Sequence, residues 1–199
     1  MKILALNCSL KASGESSTDR LLQLVLADLA REGATGEVVR VAALNVKPGV
    51  SSDEGDGDAW PSLRERIVSS DILLIGTPIW MGQPSSVSKR VLERMDAFLD
   101  ETDEQGRTPA YGKVANVVVV GNEDGAHHVS AELFQALADV GFTIPGGGPS
   151  YWVGEAMGST DFKDLPSVPE AVANACRMLA CNTAHLARLL RREPYPGYK

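Results

Sequence analysis

Cysteine, net positive charge and long apolar runs are all scarce in this chain of 199 residues. Its three cysteines, Cys8, Cys176 and Cys181, are an odd number without metal-ligand spacing, and His127 and His128 lie far from them. The pattern gives no metal site and points to reduced thiols, so a cytoplasmic protein is expected. No stretch approaches the roughly 20 apolar residues needed to cross a bilayer. The start, "MKILALNCSLK", lacks a long apolar region and a cleavage site, and reads as a first strand. Nineteen Lys and Arg stand against 26 Asp and Glu, a net charge of -7, which argues against a nucleic-acid partner. Arg188, Arg191 and Arg192 do cluster, but as cations at a solvated helix end they suit the helix dipole. Repeats and low-complexity segments are missing. The acidic "NVKPGVSSDEGDGDAW", residues 45 to 60, lacks the closing Glu of a calcium loop and reads as a solvated surface loop.

What the chain does have is a recurring alternation. Apolar runs at 3–6, 38–44, 72–75 and 117–120, with a weaker one at 142–144, are short, β-branched and bounded by Gly, Asn or Asp. They predict strands buried on both faces. Helical spacing fills the gaps: Leu22, Val25, Leu26 and Leu29; Val87, Val91, Met95 and Phe98; Val129, Leu133, Leu137 and Val140. The last helix is the clearest, with Val172, Cys176, Leu179, Thr183, Leu186 and Leu190 along one face. Strands separated by one helix each predict right-handed βαβ crossovers. The expected architecture is α/β: a doubly wound, five-stranded parallel sheet with five helices on its two faces, forming one domain over residues 1 to 199. Ligands of such sheets sit beyond the carboxyl ends of the strands, where the strand order reverses. The loops after the strands therefore hold the candidate site.

The first of these loops is "NCSLKASGESST", residues 7 to 18. It has neither the G-x-G-x-x-G of a dinucleotide fold nor the G-x-x-x-x-G-K-[ST] of a nucleoside-triphosphate loop. Asn7 and Cys8 stand where a phospho-acceptor domain needs acids. Left over are neutral donors: the hydroxyls of Ser9, Ser16, Ser17 and Thr18, together with the free N–H groups of a new helix. They suit a terminal phosphate monoester, although capping by Ser16 or Ser17 alone would need only one hydroxyl. The second loop, "GTPIWMGQPSS", is stiffened by Pro78 and Pro84 and carries Trp80, a flat face equally suited to a core or to a planar ligand. The third, "GNEDGAHHVS", offers Gly121 and Gly125 for close backbone approach and Asn122 as donor and acceptor. His127 and His128 fit a helix start. For Tyr151 and Trp152 in "YWVG", core packing at the end of the fifth strand is the preferred reading over a wall of the substrate space.

In order and spacing, these three loops resemble the flavodoxin-like superfamily, and in particular its NAD(P)H-dependent FMN reductase and quinone reductase branch. "CSLKASGESST" stands where that branch carries G-S-x-[RK]-x-x-[GS]-[NS]-T, and "GTPIWMGQPSS" where it carries [GT]-[ST]-P-x-[WY]-x-G-x-x-[PS]. "GNEDGAHH" takes the place of its glycine-rich third loop. The likeness runs from about residue 2 to residue 192. It implies strand order 2-1-3-4-5 and FMN as cofactor, with Ser9, Lys11, Ser16, Ser17 and Thr18 at the phosphate. Thr77, Pro78, Ile79, Trp80 and Met81 would form the second cofactor-binding set, Pro78 to Met81 beside the isoalloxazine. Gly121, Asn122, Glu123, Asp124 and Gly125 would reach its other polar edge. The resemblance further implies an enzyme passing hydride from NADPH or NADH through the flavin to a small acceptor (a quinone, flavin, azo or nitro compound) in a ping-pong cycle. Such enzymes need no dedicated catalytic side chain and assemble as homodimers or homotetramers. A flavodoxin-type electron carrier and an FMN-binding regulatory protein are the alternatives. Two departures stand out: Cys8 replaces the usual glycine, and the acidic Glu123–Asp124 pair replaces small or polar residues.

Overall fold

The computed structural model describes residues 1–199. In chain order the elements are β1 (Lys2–Asn7), α1 (Ser17–Arg31), β2 (Thr35–Arg40), α2 (Trp60–Val68), β3 (Ile72–Trp80), β4 (Gln83–Pro84), α3 (Ser86–Met95), β5 (Val114–Gly121), α4 (Ala126–Asp139), β6 (Ser150–Val153) and α5 (Glu170–Arg192). The sheet runs β2-β1-β3-β5-β6, and the two-residue β4 folds back antiparallel on the end of β3. With β4 set aside, the five parallel strands have the order 2-1-3-4-5.

The apolar runs are continuous because both faces of the sheet are covered. Along β5, Val117 and Val119 join one core with α2, α3 and α4, whereas Val118 and Val120 join the other with α1 and α5. That is the period of two of a strand, read out between two separate helix layers. α1 settles closely on the carboxyl end of β3 because Gly76 has no side chain: a Cβ there would come within 2.7–2.9 Å of the Leu22 and Thr18 side chains.

Two strand expectations shift. Residues 142–144 do not form the fifth strand; Thr143 makes only an isolated parallel bridge to Val114. Phe142 is apolar because it is buried in the core beside α4. The real edge strand, Ser150–Val153, is too short and too polar to read as an apolar run. The second strand occupies 35–40 rather than 38–44, and Val41–Ala43 form a 3-10 turn. It too is an edge strand, and Thr35, Gly36 and Glu37 are exposed.

The loop of residues 44–59 is also more than a solvated surface. The Asp58 and Arg94 side chains are fully buried and paired at 2.8 Å.

Candidate active site

β1 is flanked by β2 on one side and β3 on the other, so the strand order reverses beside it. There, beyond the carboxyl ends of β1, β3 and β5, lies a cleft of about 360 Å³. Its first wall is the loop after β1 with the start of α1. Ser16 is the N-cap: its Oγ accepts from the Asp19 amide at 3.3 Å. Helix capping is therefore part of what this turn does. The other hydroxyls do something else. Ser17 Oγ accepts from the Lys163 amide at 3.1 Å. Ser9 is 6 % exposed and its Oγ has no hydrogen-bond partner, although its amide is held by Asn7 Oδ1 at 3.0 Å. A buried hydroxyl left unpaired costs about 1–3 kcal/mol in desolvation unless something outside the chain satisfies it. Cys8 plays no such part: burial pushes its thiol up to about 12, and its carbonyl accepts from Ser85 Oγ at 2.5 Å.

Pro78, Ile79 and Trp80 form the second wall, and Trp80 is 54 % exposed. Thr77 sits behind them, fully buried; its Oγ1 accepts from the Ser85 amide at 3.1 Å and donates to the Pro78 carbonyl at 3.0 Å. It braces the loop and does not face the cleft. Met81 also lies outside the lining, exposed and at a φ of 54°.

Val120, Gly121, Asn122 and Glu123 make the third wall. The Glu123 carboxylate turns back onto the second loop, accepting from the Met81 amide at 3.1 Å and the Gly82 amide at 3.2 Å. Thus the acidic residue that departs from the family pattern has a local partner in two backbone amides. Asp124 accepts from the Gly125 amide, and Gly125 packs on Gly82, where a Cβ would lie 3.0 Å from its Cα. Neither residue lines the cleft.

Sequence reasoning missed Leu10, Val120, Asp161 and Lys163, all of which line the cleft. Asp161 and Lys163 arrive from far along the chain with the segment that precedes α5. Asn122 holds that segment, donating to Asp161 Oδ1 at 3.2 Å and to the Gly158 carbonyl at 3.3 Å. "DFKDL" has no periodicity and no motif, so nothing in the sequence marked it. His127 packs edge-on against Tyr151, with ring centroids 5.3 Å apart, and His128 is held between Gln83 and Glu132. Trp152 is buried against Phe162.

A five-stranded parallel sheet in this order, with a polar cup at its switch point, defines the flavodoxin-like class of α/β protein. Within that class, the chain belongs to the NADPH-dependent FMN reductase family, whose model matches residues 1–157. It is 32% identical, over 98% of its own length and 80% of the relative's, to 8-demethyl-8-aminoriboflavin-5'-phosphate synthase of Streptomyces davaonensis. The crystal structure of RosB with bound 8-demethyl-8-formylriboflavin-5'-phosphate superposes with a TM-score of 0.88 at 31% identity, covering 98% of this chain and 82% of that one. A protein of Mycobacterium bovis described as the divalent metal cation transporter MntH is 32% identical over 96% of this chain, which spans 29% of that protein's length. The chain is accordingly an oxidoreductase of a family that uses FMN with NAD(P)H. None of its helices is long and apolar enough to cross a membrane.

The residues present fit an FMN phosphate. An unpartnered buried hydroxyl, a helix start and a cleft within the roughly 300–1,000 Å³ range of small-molecule sites lie together.

Proposed function

We propose that the protein holds FMN in this cleft and passes hydride from NADPH or NADH to a small electron acceptor such as a quinone, flavin, azo or nitro compound. The phosphate end lies against Ser9, Lys11, Ser16, Ser17 and Thr18. Pro78, Ile79 and Trp80 would hold the ring on one side and Gly121, Asn122 and Glu123 on the other, with Thr77, Asp124 and Gly125 bracing those loops and the Met81 amide tying the second loop to Glu123. The observation that carries this reading is Ser9, which lines the cleft with the start of α1 and whose Oγ is buried without a partner. When bound, FMN supplies the two-electron chemistry. The chain's own residues grip and orient. Hydroxyls and amides anchor the phosphate, β3 and β5 fix the two walls, and the exposed Trp80 face borders the space left for a second planar molecule.

The same reading includes one FMN-binding domain over residues 1–199, a cytoplasmic location and a homodimer or homotetramer. Leu10, Trp80 and Met81, exposed around the cleft, support a second copy covering its mouth. The test is spectroscopic. Purified protein should take up FMN, and anaerobic NADPH or NADH should bleach the flavin band, with colour returning on addition of a quinone. Protein that takes up no FMN overturns the proposal.

A second reading is favoured by the 32% identity to a protein named for synthesis of a modified riboflavin phosphate. Here the flavin phosphate would be the substrate in the same cleft. Mass spectrometry of the flavin recovered after turnover separates the two: an unchanged mass supports the redox cofactor, a changed mass the substrate.

A further inference from the structure

Resting on the FMN reading above, we propose that residues 161–165 form the fourth wall of the phosphate seat. Lys163 on that wall adds a fixed cation to a loop whose own cation, Lys11, is exposed and unpaired. The segment is docked on the first turn of α1 by two independent sets of contacts. The Lys163 amide donates to Ser17 Oγ at 3.1 Å, which uses an oxygen lone pair and leaves the Ser17 hydroxyl proton to donate elsewhere. One turn further along, a single guanidinium nitrogen of Arg20 donates to the carbonyls of Phe162, Lys163 and Leu165 at 2.7, 2.8 and 3.0 Å. The same guanidinium lies 5.3 Å from the centre of the Phe162 ring, and Phe162 is fully buried. Arg20 thus positions the segment without lining the cleft itself.

Charge gives the reason for Lys163. Asp161 lines the cleft with Ser9 and Ser17, so a phosphate dianion there meets a carboxylate. Lys163 Nζ stands 3.8 Å from Asp161 and 2.7 Å from Asp164, and its side chain is 22% exposed. The only other cation in the lining is Lys11, which is exposed on a loop and makes no ion pair. Lys163, held by both carboxylate oxygens of Asp164 at 2.7 Å, is therefore a fixed positive charge beside Asp161 and the group on this wall that can meet a doubly ionised ligand. Charge-assisted hydrogen bonds are about twice as strong as neutral ones, so its removal should be read by the phosphate and not by the ring.

The experiment compares FMN with riboflavin, which differs only by that phosphate, using flavin fluorescence quenching on the full-length protein. Lys163→Gln should weaken FMN about tenfold and leave riboflavin within twofold, while Lys163→Arg keeps most of the FMN preference. Arg20→Leu should lose the same preference, and adding Lys163→Gln to it should bring little further loss, because both act through one segment. An FMN preference unchanged in Lys163→Gln overturns the role of Lys163. Wild-type protein that binds FMN no better than riboflavin overturns the phosphate seat itself, a different and earlier failure.

Discussion

The loops after β1 and β2 leave neighbouring strands at the same end of the sheet, and they use their polar groups in opposite ways. After β2, the chain turns its polar groups on itself. Asp58 accepts from the amides of Lys47 at 3.1 Å, Glu54 at 3.0 Å and Trp60 at 3.0 Å, and pairs with Arg94 at 2.8 Å. Arg94 in turn donates to the Lys47 carbonyl and lies over the Trp60 ring. Burial works to raise the Asp58 pKa, and these bonds more than reverse it, bringing it down to about 2. After β1, one buried hydroxyl is left unsatisfied: Ser9 Oγ has no partner, and the start of α1 opens on the cleft. Both regions leave buried polar atoms open, Trp60 Nε1 and Arg94 Nε in the one and Ser9 Oγ in the other, and the difference is place: Ser9 lines the cleft, whereas Trp60 and Arg94 do not.

The largest expected effect breaks the closed loop. Asp58→Ala leaves the Arg94 guanidinium buried and uncompensated, and should cost about 3–5 kcal/mol. For a chain of this size that is a fall in Tm of roughly 10 °C. FMN affinity of the folded fraction should stay put; a specific loss of binding would mean that the two loops are one device. The pH dependence follows from the sign of the shift. A carboxylate held below its unfolded value stabilises the fold above about pH 4, and that contribution fades as pH falls towards 2. Denaturant titrations between pH 2 and 6 should show this component in the wild type and not in Asp58→Asn.

Next in size is the seam between the second and third loops. Gly125 has a φ of 123°, and a Cβ there would meet backbone atoms of Gly82 at 3.0 and 3.1 Å. Backbone cannot swing away as a side-chain tip can, so Gly125→Ala should cost about 1–3 kcal/mol. Thermal melting checks it. A melting point within a degree of wild type would show that the two loops are not held together here.

Much of this was legible in the sequence because burial on two faces writes itself as apolar runs. Residues 3–6, 72–75 and 117–120 all lie within central strands, and the i, i+3, i+4 spacing marked α1, α3, α4 and α5. Edge strands carry a weaker imprint, which is why Phe142 drew attention away from Ser150–Val153. The cup at the start of α1 was legible as a concentration of hydroxyls with Lys11 as its one cation. Which lone pairs are already engaged was not, because Ser16 Oγ accepts as a cap and Ser17 Oγ accepts from an amide 146 residues away. Asp161 and Lys163 reach the cleft only through tertiary contacts made by Asn122, Ser17 and Arg20. Thr77 and Gly125 were found by their place in a motif, and their work is to brace loops from behind.

Ser9→Ala sharpens the comparison from the open side. Removing a buried hydroxyl with no partner should leave stability unchanged or slightly raised, because no bond within the chain is lost. If that oxygen serves the phosphate, FMN affinity falls by about tenfold, the equivalent of about 1.4 kcal/mol. Melting temperature and FMN affinity, measured on the same preparation, should thus move apart. A variant that loses stability and keeps FMN affinity would make Ser9 part of the architecture after all.

The smallest expected effect concerns Glu123, which belongs to both sides of the comparison. Its carboxylate closes on the Met81 and Gly82 amides, as Asp58 closes on its own loop, yet the residue also lines the cleft. Glutamine at this position can accept through one oxygen only, so Glu123→Gln loses one of two partly exposed bonds and should cost well under 1 kcal/mol. The charge is the more telling loss. A carboxylate beside the cleft disfavours added electron density on a bound ring, and its removal should raise the two-electron potential of bound FMN by about 20 mV, equivalent to about 1 kcal/mol. Equilibration with a reference dye reads that shift directly. A potential that does not move would place the Glu123 charge wholly within the loop, joined to its two amides as firmly as Asp58 is to its three, and would leave the electrostatics of the site to residues on the other walls.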